Sequence, residues 1–199
     1  MGCKEVSVFQ IRIHGRGGQG VVSGAEMLSV AAFLEGRHAQ AFPSFGSERM
    51  GAPVMAFCRI DDKVIRLREP VLQPDALIVQ DCTLLHQVDL FSGLAKGGFI
   101  LLNSARTLDE LGLGGFVRGP QQFRVATLPA TELALKHVGR AVPNAALLGG
   151  FAAVTGELGL ESVVQAILEK FPKAIADKNV AAARAAYALA ARPLEAVNA

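Results

Sequence analysis

Residues 6–36 read VSVFQIRIHGRGGQGVVSGAEMLSVAAFLEG and contain a predicted strand, a glycine-rich turn and a predicted helix in succession. The segment 6–13 is rich in Val, Ile and Phe, as is typical of a β-strand. Over residues 20–35 apolar side chains recur at helical spacing, and Gly36 follows where helices commonly end. A strand, a glycine turn and a helix in this order predict the first unit of a doubly wound α/β fold.

The glycine turn has the spacing G-x-G-x-x-G, made by Gly15, Gly17 and Gly20. Glycine allows positive φ angles and lets the backbone approach an anion closely, and the N-terminus of the following helix attracts phosphate. An NAD site would need an acidic residue about 20 residues further on, but residues 39–42 are Ala-Gln-Ala-Phe. The turn therefore predicts either a phosphate-bearing ligand other than NAD or a tight turn that only packs.

The rest of the chain alternates predicted strands and helices. Further strands are expected at 38–42, 75–80, 98–103 and 123–128, and an antiparallel hairpin of 53–60 with 63–68 around Asp61-Asp62. Further helices are expected at 83–95, 130–138, 144–158, 161–170 and 178–191. We expect one domain over residues 1–199, an α/β fold with a doubly wound, mostly parallel sheet, an inserted antiparallel hairpin and a helical C-terminal third.

The loop after the second predicted strand carries several phosphate-binding groups. It reads FPSFGSERMG at residues 42–51 and should lie beside the glycine turn. Ser44 and Ser47 supply hydroxyl donors, and Arg49 has the geometry to bind a phosphate through two N–H groups. Glu48 could pair with Arg49 or with a partner chain. The same composition also fits a solvated surface loop, so the residues alone leave both interpretations open.

Other polar residues follow predicted strands. Asp81 comes after one strand and Asn103-Ser104 after another, so these side chains are expected to rim one crevice or to cap the next helices. Asn144 precedes the run AALLGG and is a candidate helix N-cap.

Charged groups also lie near the glycine turn. Arg12, His14 and Arg16 occupy the end of the first strand and the turn itself, where they are expected to add positive potential. The four histidines are scattered without the spacing of metal ligands.

Composition excludes several classes of protein. With 199 residues, 51% hydrophobic and 19% charged, and a net charge of +2, the chain is neither disordered nor typical of a nucleic-acid-binding protein. No apolar stretch approaches the roughly 18–20 residues of a membrane span, and no signal peptide is evident. Three cysteines, widely spaced, cannot ligate an iron–sulfur cluster by themselves. We expect a cytoplasmic protein with no metal site of its own and no nucleic-acid or membrane partner.

The two loops together resemble a known family. GRGGQGVVSGAEMLSVAA (15–32) and QAFPSFGSERMGAPVMAFCRID (40–61) are similar to the gamma subunit of 2-oxoacid:ferredoxin oxidoreductases, above all the pyruvate synthase type. The resemblance continues through PNAALLGGFAA (143–153) and AILEKFPKAIADKN (166–179).

The resemblance implies a multi-subunit enzyme that converts a 2-oxoacid, by default pyruvate, and coenzyme A to acyl-CoA, carbon dioxide and two electrons, or runs in reverse. It implies thiamine diphosphate with Mg between alpha and beta subunits and iron–sulfur clusters in beta and delta subunits, with ferredoxin as electron acceptor. The gamma subunit is then expected to assemble the complex and to help bind coenzyme A. The covalent chemistry belongs to the cofactor, so no catalytic residue is expected in this chain.

This implied role assigns residues to coenzyme A. Direct contact is expected from the residues of the glycine turn, Gly15, Gly17, Gly18, Gln19 and Gly20. The second loop is expected to line the same crevice with Ser44, Ser47, Glu48 and Arg49, and Asn144 is a weaker candidate.

Three alternatives remain open at the level of the sequence. The first is a subunit of an NAD-linked dehydrogenase for aromatic 2-oxoacids such as phenylglyoxylate, with an additional flavin subunit. The second is a scaffold subunit whose glycine turn only packs against a partner chain. The third, a stand-alone nicotinamide-dependent reductase, is disfavoured because no acidic residue follows the second predicted strand.

Overall fold

The computed structural model describes residues 8–44, 50–67, 69–117 and 119–191. Its strands are β1 (Phe9–Arg16), β2 (His38–Pro43), β3 (Pro53–Asp61), β4 (Ala76–Val79), β5 (Phe99–Asn103) and β6 (Arg124–Leu128). Its α-helices are α1 (Val21–Leu34), α2 (Gly114–Val117), α3 (Ala130–Val138), α4 (Asn144–Thr155), α5 (Leu160–Lys170) and α6 (Lys173–Ala190), and a 3₁₀ helix spans Cys82–His86.

The strands form a six-stranded sheet in the order β2-β3-β1-β4-β5-β6. Strands β1, β4, β5 and β6 are parallel, and β3 is antiparallel to both β1 and β2. The predicted fold class, a mostly parallel sheet with an antiparallel element and helices in the C-terminal third, is confirmed.

The antiparallel element is made by different strands from those expected, so the hairpin of 53–60 with 63–68 is wrong. Strand β3 bonds to β2 along one edge and to β1 along the other, which leaves no edge for a further partner. Residues 63–67 are described by the structure and form no strand. The guanidinium of Arg59 donates to the carbonyl oxygen of Glu69 at 2.6 Å and holds the start of the next connection against the sheet.

The predicted helix at 83–95 is also wrong beyond its first turn. Only the 3₁₀ helix forms there, and turns continue to β5. Gly93 has a φ of 73°, and its α-carbon faces the carbonyl oxygen of Leu72 with no space for a side chain. A helix cannot continue through that conformation.

The larger core lies between the sheet and α1, α4, α5 and α6. Helix α4 is the innermost, with every residue from Asn144 to Ala152 buried. Gly149 packs directly on the backbone of Ala183 in α6, and Gly150 faces the side chain of Leu128 in β6. These glycines let α4 fit between the sheet and α6, and its N-terminus then lies beside the glycine turn. A smaller core covers the opposite face of β4 and β5.

Candidate functional site

The glycine turn is formed by the end of β1 and the start of α1. Gly15 is the penultimate residue of β1 and is buried; a β-carbon there would stand 2.6 Å from the side chain of Val21. Gly20 is the N-cap of α1, with a φ of 74°, and a β-carbon there would meet the side-chain amide of Asn144. Gly15 therefore permits close packing of strand and helix, and Gly20 permits the left-handed turn over α4.

The N-terminus of α1 offers unbonded backbone donors. Its first intrahelical hydrogen bond runs from the N–H of Gly24 to the carbonyl of Gly20, so the N–H groups of Val21, Val22 and Ser23 have no partner within the helix. No described side chain caps this end, and its first turn has no acidic residue. The end of α1 thus carries an uncompensated partial positive charge.

A cavity of about 430 Å³, which we name the α1 cavity, lies at this end of α1. It is lined by Arg16, Gly17, Gly18, Gly20, Val21, Val22, Ser23, Met50 and Val54.

The guanidinium of Arg16 is bonded within the protein. Its Nε donates to Oδ2 of Asp81 at 3.2 Å, its Nη2 to Thr83 and Gln87, and its Nη1 to the carbonyl of Gly51. Gln19 completes this network, because its Oε1 accepts from the N–H of Arg16 and its Nε2 donates to Asp81. The network therefore fixes the shape of the glycine turn.

Asp81 joins that network by accepting hydrogen bonds from both Arg16 and Gln19. Burial alone would raise the pKa of its carboxyl, but hydrogen bonds from Thr83 and Gln19 and the charge of Arg16 outweigh burial, so the pKa lies below its ordinary value. The carboxylate is thus ionised at neutral pH and compensates the charge of Arg16.

One of the other two basic residues near the turn, His14, does not add the positive potential expected of it. His14 is buried, and burial followed by the charge of Arg12 lowers its pKa to about 4, so it is neutral at pH 7. Arg12 is also buried, and its Nη2 donates to the carbonyls of Leu90 and Ser92. These hydrogen bonds hold the segment that follows the 3₁₀ helix against β1.

The second loop returns to the glycine turn, as predicted. The N–H of Gly17 donates to the carbonyl of Ala52 at 2.9 Å, and the N–H of Gly51 donates to the carbonyl of Gly17 at 3.1 Å. Ser44 directly follows β2, and its N–H donates to the carbonyl of Met55 at 2.8 Å. Three candidate residues of this loop, Ser47, Glu48 and Arg49, lie outside the described residues.

Asn144, the first residue of α4, packs against the glycine turn at Gly20. It is 2% exposed, its Nδ2 donates to the carbonyl of Gly20, and its Oδ1 accepts from the N–H of Ala145. The predicted N-cap is not formed, because Asn144 is the first residue of α4 and Pro143 precedes it as N-cap. Asn144 does not line the α1 cavity.

A second cavity of about 540 Å³, which we name the strand-end cavity, lies at the carboxyl ends of β4, β5 and β6. It is lined by Gln19, Gln80, Asp81, Cys82, Thr83, His86, Gln87, Asn103, Ser104, Arg106 and Thr131. The prediction that Asp81 and Asn103-Ser104 rim one crevice is confirmed. Asp81 and Asn103 also make capping hydrogen bonds. Asp81 accepts from the N–H of Thr83, and Asn103 accepts from the N–H of Thr131.

Gln80 is the residue that the sequence analysis missed. It is 2% exposed, and within the described ranges its Oε1 has no hydrogen-bond partner. The sequence did hold a signal for Gln80, because this polar residue directly follows the four apolar residues of a buried strand.

Neither a metal-binding cluster nor a membrane-spanning helix occurs among the described residues. Across the described residues, no group of three His, Cys, Asp or Glu side chains is placed to hold a metal ion. The helices of the described segments include none that is both long and apolar enough to span a bilayer.

Sequence comparison finds relatives among subunits of pyruvate oxidoreductases. Residues 10–189 match the family model described as "Pyruvate ferredoxin/flavodoxin oxidoreductase". The chain is 47% identical to the pyruvate synthase subunit PorC of Methanothermobacter marburgensis over 180 residues, which are 90% of this chain and 96% of the relative. It is 44% identical, over the same shares, to the pyruvate/ketoisovalerate oxidoreductases common subunit gamma of Thermococcus litoralis.

Solved structures similar to this chain also include a pyruvate oxidoreductase subunit. The pyruvate oxidoreductase subunit PORC of Thermotoga maritima is 38% identical, with a TM-score of 0.75, and the match covers 91% of this chain and 96% of that one. A 2-oxoglutarate:ferredoxin oxidoreductase of Magnetococcus marinus, solved with 2-oxoglutarate, coenzyme A and succinyl-CoA bound, shares the fold. That match has a TM-score of 0.70 and 17% identity, and it covers 94% of this chain and 31% of the other.

Proposed function

The chain belongs to the pyruvate ferredoxin/flavodoxin oxidoreductase family as a gamma-type subunit, and from that premise we propose that it binds the phosphates of coenzyme A at the N-terminus of α1. The assembled enzyme converts pyruvate and coenzyme A to acetyl-CoA, carbon dioxide and two electrons, which pass to ferredoxin. Alpha, beta and delta-type subunits carry thiamine diphosphate with Mg and the iron–sulfur clusters. This chain holds those subunits together and presents coenzyme A to them.

The observation that carries the proposal is the open end of α1. The α1 cavity is lined by Val21, Val22 and Ser23, whose backbone N–H groups have no partner within the helix, and no carboxylate stands in the first turn. This is the arrangement that binds a phosphate or pyrophosphate. Strand β2 ends in Phe42-Pro43, without the acidic residue that holds a ribose in NAD sites.

The residues of the turn divide into two roles. Gly17, Gly18 and Gly20 line the α1 cavity, and the positive φ angles of Gly18 and Gly20 shape a turn whose backbone a phosphate can approach. Gly15 and Gln19 act behind them, Gly15 by close packing and Gln19 by fixing the turn on Asp81.

The second loop supplies the remaining contacts of the proposed site. We propose that Arg49 binds a phosphate, that Ser44 and Ser47 donate hydroxyl hydrogen bonds, and that Glu48 lines the same crevice. Support comes from Met50, which follows Arg49 directly and lines the α1 cavity. Asn144 contributes indirectly, since it holds the carbonyl of Gly20.

This chain supplies no nucleophile in the proposal. Burial raises the pKa of the Cys58 thiol to about 12. Burial, followed by the charge of Asp81, raises that of Cys82 to about 11. Both thiols are therefore protonated at neutral pH, which suits a subunit that binds a co-substrate while the carbon chemistry occurs on the cofactor elsewhere.

A charge placed in the first turn of α1 tests the proposal. Ser23→Asp puts a carboxylate beside the proposed position of the phosphates and should repel them. The same substitution should not destabilise the protein, because acidic residues stabilise helix N-termini. In the assembled enzyme we expect the KM for coenzyme A to rise at least about tenfold with the KM for pyruvate unchanged. Ser23→Asn is the matched control and should keep the KM for coenzyme A within about twofold of wild type. An unchanged KM in Ser23→Asp would favour the scaffold alternative.

A further inference from the structure

The connection between β3 and β4 contains strand-like sequence that forms no strand. Residues 63–67, which we name the connecting segment, read KVIRL, and Val and Ile have a high preference for β structure. The structure describes this segment without regular secondary structure. No backbone group of residues 64–67 makes a hydrogen bond with another described residue. The segment therefore offers main-chain donors and acceptors to a partner.

Large apolar side chains accompany this free backbone. Val64, Leu67 and Leu72 are each at least half exposed, and all three lie within residues 64–72. Single exposed apolar residues are common on protein surfaces, whereas a group of them indicates a contact surface. The side chains and the backbone of this connection thus both point to an interaction outside the chain.

Hydrogen bonds on both sides hold the connecting segment in place. Before it, Oδ1 of Asp62 accepts from Nε of Arg37 at 3.1 Å. After it, Nη2 of Arg59 donates to the carbonyl of Glu69 at 2.6 Å, and Val71 is buried. Fixed ends reduce the conformational entropy that a segment loses when it binds, so the connecting segment is prepared for a partner.

The charge of the connecting segment indicates what kind of partner fits. Lys63 and Arg66 are exposed and form no ion pair with a described residue. The nearby acids act elsewhere. Asp62 is already in an ion pair, and burial lowers the pKa of Arg59 while the charge of Glu69 opposes this. A second copy of the segment would bring like charges, so an acidic partner is favoured.

We infer that the connecting segment docks an extended, acidic segment of a partner subunit, which pairs with its backbone as an added strand. The inference rests on the assembly part of the function proposed above and not on the coenzyme A site. Val64 and Leu67 pack against apolar side chains of the partner, and Lys63 and Arg66 lie beside its carboxylates. Pairing in the complex supplies the strand that the local sequence predicts, since β3 has both edges occupied within the chain.

The first test measures the dissociation constant of the full chain from the other subunits of the enzyme. Leu67→Glu replaces an apolar contact with a charge that an acidic partner repels, so this constant should rise at least about tenfold. Leu67→Lys loses the same apolar contact but attracts carboxylates, so its rise should be at least about threefold smaller.

Leu135→Glu is the matched control, because Leu135 on α3 is 50% exposed, as is Leu67. Its dissociation constant should stay within about twofold of wild type. Arg66→Ala removes one exposed charge, which contributes little by itself, and should assemble like wild type. Because all these side chains are exposed, the thermal midpoint of the chain should not fall in any of the variants, which separates assembly from folding.

Amide hydrogen exchange tests the added strand itself. Residues 64–67 should exchange at least about tenfold more slowly in the assembled enzyme than in the full chain alone, because strand hydrogen bonds protect amides. Equal exchange in the two states overturns the inference. So does wild-type affinity in Leu67→Glu, an equal loss in Leu135→Glu, or an equal loss in Leu67→Lys. Self-association of the chain that Leu67→Glu abolishes would identify a second copy as the partner and also overturns it.

The coenzyme A proposal fails separately. In that case Ser23→Asp leaves the KM for coenzyme A unchanged in a normally assembled enzyme, while Leu67→Glu still weakens assembly. If Ser23→Asp raises this KM and Leu67→Glu assembles with wild-type affinity, only the docking of the connecting segment is wrong.

Discussion

Two glycine motifs of this chain look alike in sequence and differ in whether they border an open cavity. In the turn after β1, Gly17, Gly18 and Gly20 line the α1 cavity at the end of a helix whose first N–H groups have no partner in the helix. In α4, Gly149 and Gly150 face the backbone of α6 and a side chain of β6, and every residue around them is buried. A glycine motif therefore indicates a ligand only when it borders an open cavity with free backbone donors, and packing when protein fills the space around it.

The largest effect is expected where protein fills that space. Gly149→Ala places a β-carbon against the backbone of Ala183, which cannot move without displacing α6. We expect a loss of at least about 3 kcal/mol in the free energy of unfolding, measured by denaturant titration. Gly115→Ala is the control, because no described atom lies within 4 Å of the added carbon. A stable Gly149→Ala protein would show that α4 and α6 are not closely packed.

The contact between the two motifs gives the next effect. Gly20→Ala requires a β-carbon at a φ of 74° and pushes it into the amide of Asn144. We expect a loss of about 2 kcal/mol, part from the left-handed conformation and part from the clash. Adding Asn144→Ala relieves the clash, so the double variant should lose less stability than the sum of the single variants. Strict additivity in this cycle would contradict the contact.

Arg49→Ala sharpens the comparison on the ligand side. Loss of a charged hydrogen-bond donor to phosphate is expected to raise the KM for coenzyme A about tenfold and to leave the free energy of unfolding unchanged. Steady-state kinetics of the assembled enzyme measure the first quantity and thermal unfolding the second. Arg66→Ala, an exposed arginine between β3 and β4, is the control. An unchanged KM in a normally assembled Arg49→Ala enzyme would exclude the phosphate contact.

The smallest effect concerns the network that fixes the turn. Because folding lowers the pKa of Asp81 below its ordinary value of 3.8, its contribution to stability is present above that value and is lost as the pH falls through the folded pKa. The pair is partly exposed and screened by solvent, so Asp81→Asn should cost about 1 kcal/mol at pH 7. Unfolding measured from pH 7 to pH 3 should show this difference from wild type shrink below about pH 4. A constant difference would mean that Asp81 carries no linked proton.

Much of the fold followed from local patterns. The strand, turn and helix of residues 9–34 and the short apolar strands β4 and β5 carry their own periodicity and punctuation, so the sequence predicts them directly. The partner of β3 was not predictable in this way, because strand pairing depends on which edges remain free after distant strands have joined. The prediction of a helix over 83–95 failed for a similar reason. The backbone conformation of Gly93 depends on its close contact with Leu72, which is distant in the sequence.

The site shows the same division. The turn glycines and the second loop have a spacing and composition that indicate phosphate, whereas Arg16, Gln19 and Asp81 become one network only when β1 and β4 are neighbours. Gln80 is recognisable as unusual only once its buried, unpartnered oxygen is seen. Sequence thus indicated the backbone of the candidate site, and the structure was needed for the side chains that join distant strands.

The measurement that tests the central claim most directly is a structure of the assembled enzyme with coenzyme A bound. The account predicts pyrophosphate oxygens within about 3.2 Å of the N–H groups of Val22 or Ser23 at the start of α1. Coenzyme A phosphates bound away from α1, or a glycine turn covered by a partner chain with no ligand on it, would contradict the account.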